Sequence, residues 1–147
     1  MTAVGRLTNE PIDASSLAVE AGSPSFGAIL VFLGVVRDIN DGRSVTAIDY
    51  SAYEAMAATL LGDIAREGAE RHGPANVVIV HRLGELGLQE ASVGIAVANA
   101  HRDDAYQLSR WCIDELKRRV PIWKREHYTD GTREWVDPAG AAVEASR

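Results

Sequence analysis

The spacing of apolar residues changes several times along the chain, and each change marks an element. Phe26 to Val36 is an unbroken apolar run of eleven residues, which predicts a strand buried on both faces. Val45 to Tyr50 alternates and predicts a second strand. Arg37 to Ser44, rich in Asp, Asn, Gly and Ser, reads as a polar loop, so residues 26–50 read as a hairpin with a long, mobile connection. Tyr53, Met56, Ala57, Leu60, Leu61, Ile64 and Ala65 then repeat at helical spacing, up to a stop near His72-Gly73-Pro74. Asn76 to Arg82 and Ala91 to Ala100 read as strands, with Gly84 and Gly87 punctuating the turn between them. Ala105, Leu108, Cys112 and Leu116 predict a helix from about Asp103 to Arg119, which Pro121 ends. Ile122 to Tyr128 follows as a strand, Gly131 as a turn, and Glu134 to Val136 as a short strand. Upstream, Val4 to Leu7 is a short strand, and Asp13 caps a short helix over Leu17 and Val19, ended by Gly22 and Pro24. The order is ββαββαβ with short extras. It predicts an α+β fold with two main helices packed on a mainly antiparallel sheet. Residues 1–136 form one domain in this reading, and 137–147 a flexible Ala-rich tail.

Composition narrows the classes. A chain of 147 residues, 46% hydrophobic and 24% charged, is long and apolar enough for a core without staples. Its longest apolar run falls short of the roughly 20 residues that span a bilayer. The first residues carry no apolar leader region, and a single cysteine, Cys112, excludes an internal disulfide framework or a Cys-rich zinc module. Cytoplasm is the expectation. The 15 basic and 21 acidic residues give a net charge of −6, which argues against a nucleic-acid binder. The charge is segregated, however. Residues 101–127 hold 7 basic and 5 acidic side chains, against 6 and 12 in residues 1–100. One basic quarter in an acidic chain points to a local anion site, or else to a solvated helix face.

Candidate chemistry gathers in that quarter. The chain lacks a phosphate-binding glycine loop, a dinucleotide fingerprint and a nucleophile elbow. Its four histidines have no metal-ligand spacing, so neither metal nor cofactor is expected. Cys112 falls on the apolar stripe of its helix and reads as a buried structural thiol. His101 and Arg102 come where a strand gives way to a helix, so their side chains and the first helix amides can converge on an anion, unless Asp103 simply caps the helix. Lys117 follows the apolar row ending at Leu116. Lys124 lies in the strand Ile122 to Tyr128, where Ile122 and Lys124 share one face and Trp123 and Arg125 the other. A lysine among other cations, shielded by Trp123 or Trp111, would have its pKa lowered and a neutral amine within reach. Read from the residues alone, the chain offers an anion pocket with one or two reactive lysines.

Phe32-Leu33-Gly34-Val35-Val36-Arg37, Tyr53 with Met56-Ala57, His81-Arg82-Leu83-Gly84, Ala100-His101-Arg102, Leu116-Lys117, Pro121-Ile122-Trp123-Lys124-Arg125-Glu126 and Gly131 with Trp135-Val136 occur in this order. Together they resemble the large, catalytic subunit of molybdopterin synthase, over about Phe26 to Val136. The resemblance implies the family's α/β hammerhead-like fold and a sulfurtransferase of molybdenum cofactor biosynthesis. Such an enzyme converts cyclic pyranopterin monophosphate to molybdopterin with two sulfurs from the thiocarboxylated C-terminus of a small ubiquitin-like subunit. It implies a homodimer within a heterotetramer, with no nucleic-acid or membrane partner. By position, Lys117 and Lys124 match the family's catalytic lysines. Val35, Val36, Arg37, His101, Arg102, Arg125 and Glu126, together with both lysines, match its substrate-binding positions. Two departures touch affinity or partner choice: Ser51 after Tyr50, where many relatives have Glu, and Val35, where many have Lys. A non-catalytic phosphate- or nucleotide-binding module and a Schiff-base lysine enzyme are the rival readings.

Overall fold

The computed structural model describes residues 1–136; the expected tail 137–147 lies outside the described residues. Strand β1 (Ala3–Thr8) leads to helix α1 (Ala14–Ala21), where Asp13 accepts a hydrogen bond from the Ser15 amide and caps the first turn. There follow β2 (Ala28–Val35), β3 (Ile39–Asn40), β4 (Arg43–Ala52), α2 (Glu54–Arg71), β5 (Ala75–Arg82), β6 (Gly84–Gly87), β7 (Ala91–Asn99), α3 (Arg102–Arg119), β8 (Ile122–Tyr128) and β9 (Arg133–Val136).

The strands form two sheets. One runs β1-β5-β7-β2, and the other β3-β4-β8-β9 with β6 on the far side of β4. Among the described residues only β1 and β5 pair in parallel. The α+β class with a mainly antiparallel arrangement therefore stands, with a third, short helix and a divided sheet.

Alternation sorts the first sheet's side chains onto two faces. Val77, Ile79, Val93, Ile95 and Val97 meet α2 and α3 through Ala57, Leu61, Ile64, Leu108, Cys112 and Leu116, while Val78, Val80, Ala96 and Ala98 meet α1 through Leu17 and Ala21. Strands β5 and β7 are covered on both faces, so their central stretches, Val77–Val80 and Val93–Ala98, are apolar, while polar residues (Asn76, His81, Ser92 and Asn99) fall only near the strand ends. A third core, Val36, Val45, Ile48, Leu86 and Tyr128, lies in the second sheet, and Tyr50 packs against both this core and the main one. Tyr50 thus marks the joint between the sheets.

Several expectations change. Strand β2 is not half of a hairpin with β4: it pairs with β7, while β4 pairs with β6 and β8. Nor is it buried on both faces. It is an edge, with Ile29, Phe32 and Val35 exposed, because a continuous apolar run shows that a strand is to be covered and not by which chain. The polar loop holds a tight hairpin in which Asn40 pairs with Arg43 and Asp41 and Gly42 both take positive φ, the geometry that Asp-Gly favours. This connection is anchored, not loose: the Val36 amide donates to the Glu90 carbonyl, and the Val45 amide donates to the Asp38 carbonyl. Gly84 and Gly87 bound strand β6 and not a turn. Tyr53, which reads as helical, is the residue before α2, and both it and Met56 of the first turn are exposed, so the apolar stripe is buried only from Ala57 onward.

Candidate active site

Lys117 sits in the last turn of α3, one residue past the buried Leu116, so the helix that packs on the first sheet carries it to the sheet's end. Val120 leaves the helix in extended conformation, and Pro121 turns the chain into β8. The alternation of β8 then points Ile122, Lys124 and Glu126 to one side and Trp123, Arg125 and His127 to the other. Register sets Tyr50 opposite Lys124 and Ile48 opposite Glu126. From the first sheet, Phe32 and Gly34 of β2 and Val93 of β7 reach the same space. These residues enclose a cavity of about 240 Å³, whose wall also holds Val35, Val36, Arg37, Asn40, Ser92 and Ile113.

Burial pushes the Lys117 ammonium below its ordinary pKa, and the like charge of Lys124 adds to the effect. The shielding does not come from tryptophan. Trp123 points to the opposite face, and Trp111 lies against His72 and beneath Arg71. Tyr50, Val93, Phe32 and Ile113 supply the apolar wall instead.

Behind Tyr50, the His81 ring stands edge-on at 5.4 Å between centroids. His81 lies in register with Val93 and is buried. Its Nδ1 is 2.9 Å from the Arg82 carbonyl, so Nδ1 carries the proton and donates it, and Nε2 is left bare. Burial lowers the His81 pKa to about 4, opposed by that hydrogen bond and assisted by the Lys117 charge. Burial also keeps the Tyr50 phenol protonated. The cavity therefore combines lysine cations, a neutral phenol and a neutral imidazole behind it.

Not every expected residue meets there. Val35, Val36, Arg37, Lys117, Lys124 and Glu126 line the cavity. Glu126 is 2% exposed and already engaged: Asn40 Nδ2 donates to its two oxygens at 2.9 and 3.0 Å, and the Tyr128 hydroxyl donates to Oε1 at 2.9 Å. Arg125 faces the other way and pairs with Asp49 at 3.1 Å. His101 and Arg102 are exposed at the far end of α3, fifteen residues or about 22 Å from Lys117 along the helix axis. Within one chain they cannot share an anion with Lys117.

Sequence reasoning overlooked Tyr50, Asn40, Phe32, Ser92 and Ile113, because only the pairing of β4 with β8 and β2 with β7 brings them in. One signal was available. The chain uses arginine at 13 of its 15 cationic positions, and its two lysines, Lys117 and Lys124, both line this cavity.

Two other groupings need no ligand. Cys112 is fully buried and its thiol is pushed up to about 12, as expected of a structural thiol. Asp49, Glu85 and His127 bring three ligand atoms within 4.8 Å of one another, but Asp49 already accepts from Arg125 and lies 2.8 Å from His127 Nε2, and the guanidinium opposes a cation. Among the described residues no helix is long and apolar enough to cross a membrane.

The family model described as MoaE protein matches residues 7–119. The molybdopterin synthase catalytic subunit of Emericella nidulans is 40% identical over 129 residues, covering 88% of this chain and 66% of the relative. That of Thermoplasma volcanium is 39% identical over 129 residues, covering 88% and 94%. The chain thus spans just under two thirds of the fungal relative and nearly all of the archaeal one. The crystal structure of molybdopterin synthase from Staphylococcus aureus superposes with a TM-score of 0.85 at 34% identity, covering 92% of this chain and 97% of that one. With that match over most of its length, the chain belongs to the MoaE protein family.

Proposed function

We propose that this chain is the sulfur-transferring, catalytic subunit of a molybdopterin synthase. It would build the dithiolene of molybdopterin on cyclic pyranopterin monophosphate from the thiocarboxylated C-terminus of a small ubiquitin-like subunit. The observation that carries the reading is the convergence of the chain's two lysines in one cavity with Arg37. A thiocarboxylate and a phosphate are both anions, and unpaired cations in a partly desolvated site attract them strongly. Lys117, its pKa lowered, supplies an amine as base or acyl acceptor; Lys124 stabilises the charge that develops on the acyl group. No resident metal or cofactor enters the scheme, and a cytoplasmic location, fitting one buried thiol, belongs to the same proposal.

The distance to His101 and Arg102 has a natural resolution in a homodimer. Strand β2 begins at Ala28 opposite Asn99, close to His101, and ends at the cavity with Gly34 and Val35. Its outer edge is apolar, uncharged and unpaired among the described residues, the kind of edge that recruits another strand. Antiparallel pairing of β2 with β2 of a second copy would bring the partner's His101 and the partner's Arg102 beside this chain's Arg37 and Lys117. Each anion site would then be built from two chains.

The test is reconstitution. The purified chain, cyclic pyranopterin monophosphate and a thiocarboxylated ubiquitin-like protein ending in Gly-Gly should yield molybdopterin, read after oxidation by its fluorescence. Precursor binding without sulfur transfer would leave a phosphate-binding module instead.

A further inference from the structure

Lys124 and Glu126 are two residues apart on the cavity-facing side of β8, a spacing at which a lysine and a carboxylate on one strand can meet. They do not meet. Among the described residues no carboxylate oxygen lies within 4.0 Å of either Lys124 or Lys117. The Glu126 carboxylate turns instead toward the β3–β4 hairpin, where the Asn40 amide donates to both its oxygens and the Tyr128 hydroxyl adds a third bond. That hairpin is itself fixed. Arg43, paired with Asn40 across the turn, forms an ion pair with Glu134 at 2.5 Å, donates to Thr132 and lies 3.5 Å from the centroid of the Tyr128 ring.

We propose that Asn40 is a positioning residue that holds the Glu126 carboxylate away from Lys124, leaving both cavity lysines unpaired for an anionic ligand. The proposal takes the use of those lysines from the sulfur-transfer reading; the restraint on Glu126 stands apart from it. The groups facing the lysines are Arg37 after β2, Tyr50 from β4, His81 from β5 and Glu126 from β8, while Tyr128, Arg43 and Glu134 lie beyond Glu126. Among the described residues Glu126 is the one carboxylate in the cavity lining. Without Asn40, Glu126 keeps a single neutral donor, and Lys124 is the cation that shares its face of β8. An ion pair there favours the charged form of Lys124. It also offsets the repulsion that Lys124 exerts on Lys117, so both amines become harder to deprotonate.

Because the chain has only two lysines, their proton affinities can be read directly. The rate of trace acetylation by acetic anhydride is followed against pH, with Lys117 and Lys124 peptides resolved by mass spectrometry. Asn40→Ala should raise the labelling midpoint of Lys124 by about one pH unit, with Lys117 moving the same way. Tyr128→Phe, which keeps the ring under Arg43, should move both in the same direction by less. In a Glu126→Gln background, Asn40→Ala should add nothing, since a neutral amide forms no ion pair. Midpoints that stay within about 0.3 unit of wild type in both single variants, or an equal shift with Gln at 126, would overturn the proposal. A wild-type protein whose lysines respond in this way but which transfers no sulfur would overturn the functional reading and leave this one standing.

Discussion

Lys117 and Lys124 share a cavity but have different surroundings, and substitution should separate them. Lys117 follows the buried stripe of α3 and feels burial most. Lys117→Ala should lower the rate of dithiolene formation at least about a hundredfold with assembly intact. Activity within about threefold of wild type, under ~1 kcal/mol of barrier, would remove Lys117 from the mechanism. Lys124→Arg should not restore what Lys124→Ala loses if an amine is required, because guanidinium keeps the charge and cannot be deprotonated; full rescue would assign Lys124 the role of a fixed charge. His81 makes a separate prediction, on stability. Its folded pKa, about 4, lies below the ordinary 6.5. The unfolded chain therefore binds the extra proton first, and stability falls as pH drops through that window, by about 2 kcal/mol at pH 5 and about 3 in full. Urea unfolding at pH 7 and pH 5 should show the loss in wild type and a smaller one in His81→Gln. Equal losses would mean that another group carries the proton. The residue identities at the site were legible in part: the lysines and Arg37 stood out in the sequence, whereas Asn40 looks like an ordinary loop residue and Tyr50 like an ordinary strand residue until Tyr50 is set opposite Lys124 and Asn40 against Glu126.

Elements whose apolar pattern is satisfied within the chain read correctly. The stripe Ala105, Leu108, Cys112 and Leu116 is buried throughout, and β5 and β7, covered on both faces, are apolar through their centres, Val77–Val80 and Val93–Ala98. Pairing was harder to read. The run Phe26 to Val36 followed by Val45 to Tyr50 suggested neighbours, yet β2 pairs with β7 some sixty residues later in sequence, and β4 pairs with β8. Local pattern specifies which face of a strand is wet; it carries little about which distant strand completes the ladder. Strand β2 went furthest astray, because its apolar residues look like a core strand's while its outer edge is open. If a second copy covers that edge, Ile29→Lys should abolish the contact: Ile29 is 47% exposed, lies outside the cavity, and a lysine there leaves the monomer's own packing little changed. Light scattering should then give half the wild-type mass, with helix content by circular dichroism preserved. A variant that remains dimeric would move the interface elsewhere.

At the scale of the whole molecule, the decisive fact is the separation of the two ends of α3. Arg102 and Lys117 are about 22 Å apart along one helix, so a single chain offers either the lysine cavity or the His101–Arg102 pair to a given phosphate, never both. A two-fold assembly through β2 would exchange the ends, and the exchange can be counted. Arg102→Ala and Lys117→Ala homodimers each lack one component in both sites, and each should be close to inactive. When the two variants are co-expressed in equal amounts with different tags, half of the dimers are mixed. In a mixed dimer one site combines both defects, and the other has an intact Lys117 from one chain and an intact Arg102 from its partner. About a quarter of all sites should therefore recover, and about half of the sites in doubly tagged dimers purified away from the rest. If Arg102 served the lysine cavity of its own chain, every site in every dimer would carry a defect, and mixing would restore nothing. Recovered activity near a quarter requires the shared site; activity no higher than that of the separate variants rules it out.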